Sequence, residues 1–171
     1  VFRIEKKLNK SFEELLQEHL ELNVVDGVIL PNLKLAGKAE VCTFLNREGR
    51  CSIHDSRPGI CRLFPLGRYY ENHNYKYFLQ VNECQKSNRT KVKISKWIDT
   101  PDYPRYREFV LEWHYFLIHV EDLILSAADE NYGKQLCMLL LQAFYLKKYD
   151  LARDFYEQFA GRMQVVKEAL Q

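Results

Sequence analysis

The chain has 171 residues, 47% of them hydrophobic and 13% aromatic, which places it among globular proteins with a real core and outside the disordered class. Its formal net charge of +2 is too small to demand nucleic acid or an anionic membrane as an obligatory partner. No apolar run reaches the roughly 18 residues needed to span a bilayer and no secretory leader opens the chain, so a cytoplasmic, reducing setting is expected.

Residues 1–22 carry Phe2, Ile4, Leu8, Phe12, Leu15, Leu16 and Leu20 at helical spacing, predicting an amphipathic helix. Ser11 followed by Glu14 offers an alternative, a second helix start after a break at Asn9-Lys10. Val1 already lies inside what reads as a helix under way, so residues are expected to precede it in the natural protein. His19 closes the region, where an imidazolium suits the negative end of a helix dipole. The apolar stretch Val24–Leu35, punctuated by Gly27 and Pro31, predicts one or two short strands or an extended loop.

Residues 40–66 lack helical periodicity and contain Gly49, Pro58, Gly59 and Pro65. Such a segment buries little by itself, and a bound metal would supply the missing cohesion. Leu66–Val81 reads as a β-hairpin, two Tyr- and Phe-rich runs around Glu71-Asn-His-Asn74. Tyr69, Tyr70, Tyr75 and Tyr77 read as cross-strand pairs rather than as a stacking platform for single strands.

Residues 85–103 form a basic connector, with Lys86, Arg89, Lys91, Lys93 and Lys96 beside Trp97. It reads as a solvated linker rather than an RNA contact. Helices are predicted over about 104–128, 132–147 and 150–169, with turns at Asp129–Gly133 and Lys147–Asp150. Connections this short imply antiparallel neighbours. The expected fold class is mainly α, with a small irregular or β cysteine-rich region and a C-terminal antiparallel helical bundle. The expected domains are a metal-binding module over 1–84, the connector over 85–103 and a helical domain over 104–171.

Four of the five cysteines carry the chemistry. Cys42, Cys51 and Cys61 are spaced C-x8-C-x9-C, and Cys84 follows after 22 further residues. In a reducing setting clustered thiols bind metal more often than they pair, and four soft thiolates satisfy either tetrahedral zinc or a cubane iron–sulfur cluster. A cystine pairing of Cys42 with Cys51 and of Cys61 with Cys84 is the structural alternative. Cys137, in Leu-Cys-Met-Leu-Leu-Leu, reads as an inert core residue.

Four thiolates around either centre leave about two negative charges to be offset by N–H groups and nearby cations. Arg57 and Arg62 flank Cys61 and are placed to do this; the alternative gives them surface carboxylates. His54, three residues after Cys51, is the candidate nitrogen ligand. His73 falls in the hairpin turn, while His114 and His119 read as core or boundary residues. No phosphate-binding glycine loop, nucleophile elbow or paired-carboxylate pattern appears.

Cys42-Thr-Phe-Leu, Cys51-Ser-Ile-His, Arg57-Pro58 and Cys61-Arg-Leu-Phe-Pro65 together resemble the signature of the YkgJ-like cysteine-cluster family, over roughly residues 1–84. The family pattern opens with a C-x2-C-x2-C-C cluster that this sequence lacks. The resemblance implies a zinc- or iron-chelating protein with Cys42, Cys51, Cys61 and Cys84 as metal ligands. Tyrosine can stand at the position of His54, which argues for packing there. Wide ligand spacing and the family's iron–sulfur label favour a [4Fe–4S] cluster over zinc. Two alternatives stay open: an iron–sulfur redox or methyl-transfer enzyme related to flagellin lysine methylases, and an interaction module with structural zinc whose C-terminal helices dock a protein partner.

Overall fold

Ser11 decides how the N-terminal apolar stripe folds. Its hydroxyl accepts from the Glu14 N–H at 3.3 Å, and the Glu14 carboxylate accepts from the Ser11 N–H at 2.7 Å, a complete capping box. The stripe is therefore two helices, α1 (Phe2–Leu8) and α2 (Phe12–Glu18), parted by Asn9 in the left-handed conformation at φ 52°. The break at Asn9-Lys10 is where the sequence offered it.

The computed structural model describes residues 1–83 and 90–170, about half of it helical. The chain divides into two units, one formed by Val1–Ser56 with Leu117–Gln171 and the other by Arg57–Phe116. The first unit is thus discontinuous in sequence. Among the described residues no helix is long and apolar enough to cross a membrane.

In the first unit α2 runs into a hairpin of β1 (Leu20–Val25) and β2 (Val28–Leu33), in register from Leu20↔Leu33 to Val25↔Val28. Asp26 and Gly27 form its two-residue turn, both at positive φ (50° and 79°), the geometry that matches strand twist. The strands expected at Val24–Leu35 thus begin at Leu20. A two-residue ladder follows, β3 (Leu35–Ala36) with β4 (Val41–Cys42).

The helical C-terminal region departs from expectation at three points. The first concerns α6 (Glu130–Leu141), which starts directly after its cap Asp129, so 129–133 is not a turn. Gly133 sits inside that helix because the Ile124 side chain lies only 3.2 Å from where a Cβ would stand. Next, residues 142–146 continue as one π-helical turn, closed by Lys147 N–H on the Gln142 carbonyl at 2.9 Å. Arg162 then caps the released carbonyls of Ala143, Lys147 and Lys148. Last, α7 (Phe155–Ala169) begins five residues later than predicted. Asp150 binds its own turn through Ala152 N–H, which leaves Asp154 as the cap that accepts from Glu157 N–H at 2.9 Å.

The second unit holds α3 (Gly59–Leu63), the hairpin β5 (Leu66–Glu71) and β6 (Asn74–Leu79), α4 (Ile94–Ile98) and the opening turns of α5 (Tyr103–Ser126). The predicted hairpin is present, its turn residues Asn72 and His73 both at positive φ. Helix α4, inside the predicted connector, was not expected. It is one turn long, and tertiary contacts rather than propensity hold it. Its Trp97 indole N–H donates to the Phe64 carbonyl at 3.0 Å.

Candidate metal centre

Cys42 ends β4, paired with Leu35. Two residues on, in the turn that follows the strand, Phe44 is buried. The chain then turns through 46–50. The Asn46 carboxamide oxygen accepts from Glu48 N–H at 3.1 Å and from Arg50 N–H at 2.8 Å, while Asn46 N–H donates to the Arg50 carbonyl at 2.9 Å. Gly49 takes the positive φ, 71°, that this turn requires.

The returning segment pairs Cys51 with Leu45, Ser52 N–H donates to the Phe44 carbonyl at 2.8 Å, and Ile53 is buried. Leu45 N–H in turn donates to the Cys42 carbonyl at 3.0 Å. Phe44 and Ile53 join Ile4, Phe12, Leu15 and Leu20 in one buried cluster, and Cys42 and Cys51 both pack against it. Both thiols are free and half-buried, so the Cys42–Cys51 cystine is not formed. The loop thereby brings Cys51 back against Leu45, three residues after Cys42, without a tight C-x2-C knuckle. The signal for this was present in the sequence: Asn46-Arg-Glu-Gly49 is an Asx-turn pattern, and the Phe and Ile of the two cysteine motifs are the anchors.

Cys61 lies half-buried in α3 of the other unit. Its neighbour Arg62 is buried and engaged with backbone. Nε donates to the Arg57 carbonyl at 3.2 Å and Nη1 to the Ile98 carbonyl at 3.5 Å and to the Asp99 carbonyl. The Asp99 carboxylate is 3.6 Å away and exposed. Arg62 thus ties the C-terminus of α4 to α3, a role the sequence did not announce. Arg57 is half-buried at the start of that segment. Cys84 lies outside the described residues.

Of the histidines, His119 is exposed rather than at the core or its boundary. His54 is 63% exposed in a short 3-10 turn, with Asp55 its neighbour at 3.9 Å. His19 stacks on Phe44 at 4.2 Å and meets the Thr43 hydroxyl at 3.1 Å. Burial pushes its pKa down, with Glu18 opposing, so the imidazolium expected at this helix end is disfavoured. His114 stacks on Tyr70 at 3.5 Å, and its pKa is lowered by burial and then by the Arg68 charge. His73 is exposed in the hairpin turn beside the Tyr115 ring. Cys137 is buried in α6 as expected.

Among the described residues no three His, Cys, Asp or Glu side chains gather as a metal-holding group. Thiols are nonetheless chemically matched to a soft metal, and this loop carries two of them, both half-buried. That donor chemistry agrees with the comparison to known families. The model of the CxxCxxCC family, described as "Putative zinc- or iron-chelating domain", matches residues 4–94, and the chain belongs to this family. No curated protein and no solved structure matches it.

Proposed function

We propose that this chain is a YkgJ-like metal-binding protein in which Cys42, Cys51, Cys61 and Cys84 supply thiolates to an iron–sulfur cluster, with zinc as the second choice. The observation that carries the reading is the Asn46-clipped loop, which folds Cys51 back towards Cys42 with both thiols free and half-buried. Family membership over 4–94 supports it independently. When bound, such a centre supplies either electron transfer or structural cohesion.

The chain's own residues do the positioning. Phe44 and Ile53 anchor the two segments that bear Cys42 and Cys51. Arg57 and Arg62 flank Cys61 in the sequence, and cations there would offset thiolate charge. The C-x2-C-x2-C-C element of the family pattern is not among these 171 residues; wherever it accompanies the domain, its thiolates enlarge the ligand set.

The test is iron, zinc and acid-labile sulfide analysis of anaerobically purified protein, alongside Cys51→Ser and Cys61→Ser. Each substitution is expected to abolish stoichiometric metal and the thiolate-to-metal absorption. Absence of iron, zinc and sulfide in the parent protein, or unchanged metal in both variants, overturns the reading.

A further inference from the structure

The β5–β6 hairpin has one covered and one open face. Cross-strand partners share a face, so Leu66/Leu79, Arg68/Tyr77 and Tyr70/Tyr75 stand on one side, with Gly67/Phe78, Tyr69/Lys76 and Glu71/Asn74 on the other. The first side is occupied. Tyr70 stacks on His114, Arg68 donates to the Tyr106 hydroxyl at 2.5 Å, and Arg107 lies over the Tyr75 ring at 5.0 Å.

The second side is different in kind. Phe78 is 49% and Tyr69 60% exposed, and the Lys76 side chain is 83% exposed. The tip of the Phe78 ring lies 2.3 Å from where a Gly67 Cβ would be, so only glycine lets this ring lie flat across the ladder. One π face is spent on the strand and the other is turned outward. Tyr69 stands diagonally beside it and Lys76 directly opposite Tyr69.

Charge agrees with an anionic occupant. Arg57–Phe116 carries eleven Lys and Arg against six Asp and Glu, whereas the rest of the chain carries fourteen against seventeen. The modest net charge of the whole molecule hides this polarity. At the base of the same hairpin, Trp97 is 45% exposed and pinned to the Phe64 carbonyl, on a short helix that also presents exposed Lys96.

We propose that the open face of this hairpin binds a single-stranded nucleic acid, with unpaired bases stacking on Phe78 and Tyr69 and the phosphate backbone held by Lys76 and the lysines around α4. Flat aromatic rings beside exposed cations suit bases, which present π faces and a charged backbone together. An acidic membrane is the poorer fit, because a ring lying on its own strand has no wedge to insert among acyl chains. An acidic peptide satisfies the cations but leaves the stacking faces unused. Glu71, on the same face and 3.8 Å from Lys76, opposes an anionic ligand.

The experiment is fluorescence-anisotropy titration of the full chain with labelled oligo-uridine and oligo-thymidine between about 50 and 200 mM salt. Polyglutamate and phosphatidylcholine–phosphatidylserine vesicles are the competing ligands. Salt-dependent binding of one or both oligonucleotides is expected, and the preferred one tells RNA from DNA. Tyr69→Ala and Phe78→Ala should each weaken it about tenfold. Lys76→Gln should lower the salt slope by about one, and Glu71→Gln should tighten binding, which a purely structural role would not produce. Phe78→Ala also uncovers Gly67, so circular dichroism checks its fold, and the solvent-facing Tyr69→Ala carries the test if that fold is lost. The proposal is overturned if neither oligonucleotide binds, if Tyr69→Ala binds as the parent does, or if polyglutamate or vesicles compete as well as the oligonucleotides. Metal content is not part of any of these readouts, so this result is separable from that of the metal analysis.

Discussion

In the unit built from Val1–Ser56 and Leu117–Gln171, the loop bearing Cys42 and Cys51 leans on wholly apolar side chains, Phe44 and Ile53 against Phe12, Leu15 and Leu20. In Arg57–Phe116, the segment bearing Cys61 is tied down instead by a buried guanidinium bonded to carbonyls. Among the described residues of that unit, two of the six buried apolar ones are tyrosines. The first arrangement is tolerant of shape and intolerant of lost volume. The second is tolerant of neither a lost donor nor a changed geometry, because buried carbonyls left without partners cost free energy directly. A single chain therefore presents its thiols on two scaffolds with different failure modes.

The protein's two tryptophans, Trp97 and Trp113, both belong to Arg57–Phe116, so their fluorescence reports that unit while far-ultraviolet dichroism reports helices of both. Phe44→Ala is the largest perturbation. Loss of a fully packed phenylalanine should cost about 3–5 kcal/mol, and the dichroism midpoint in urea should fall further than the fluorescence midpoint. Arg62→Ala should cost about 3 kcal/mol by orphaning the carbonyls of Arg57, Ile98 and Asp99, with the order of the two midpoints reversed. Equal shifts of both midpoints in both variants would erase the contrast between the units.

The smallest effect is a pH dependence. Because burial and Arg68 lower the His114 pKa in the folded state, the unfolded chain binds more protons once pH drops below the ordinary histidine value of about 6.5. Stability of the tryptophan-bearing unit should therefore fall as pH is lowered through that value and level off below the folded pKa. His114→Gln should flatten the slope of the fluorescence midpoint between about pH 7.5 and 5.5. An unchanged slope would remove His114 from the account.

Local signals explain what could be read in advance. The Ser11/Glu14 pair marked the helix break, and Tyr-rich runs around Asn72-His73 marked a hairpin, because each feature is settled within a few residues. Gly133 misled because it serves side-chain packing rather than chain reversal. Asp150 and Asp154 are equally good caps on paper, and the Ala152 N–H, which occupies the Asp150 carboxylate, decides between them. Helix α4 was invisible since one turn has no periodicity, and its stability comes from Arg62, 36 residues upstream of the carbonyl it holds. The cysteine motifs were legible in the sequence as a pattern. The asymmetry of their supports was not, for it depends on which unit each falls in.

Discontinuity of the first unit has a consequence for synthesis. The cluster beneath Cys42 and Cys51 is completed by Tyr145, which stacks on Phe12 at 5.5 Å, so the ribosome must release roughly a hundred further residues before that floor is laid. Arg57–Phe116, contiguous along the polypeptide, emerges whole in the meantime. The usual order, N-terminal part first, does not suit this layout. The nascent thiols of Cys42 and Cys51 wait uncovered until then.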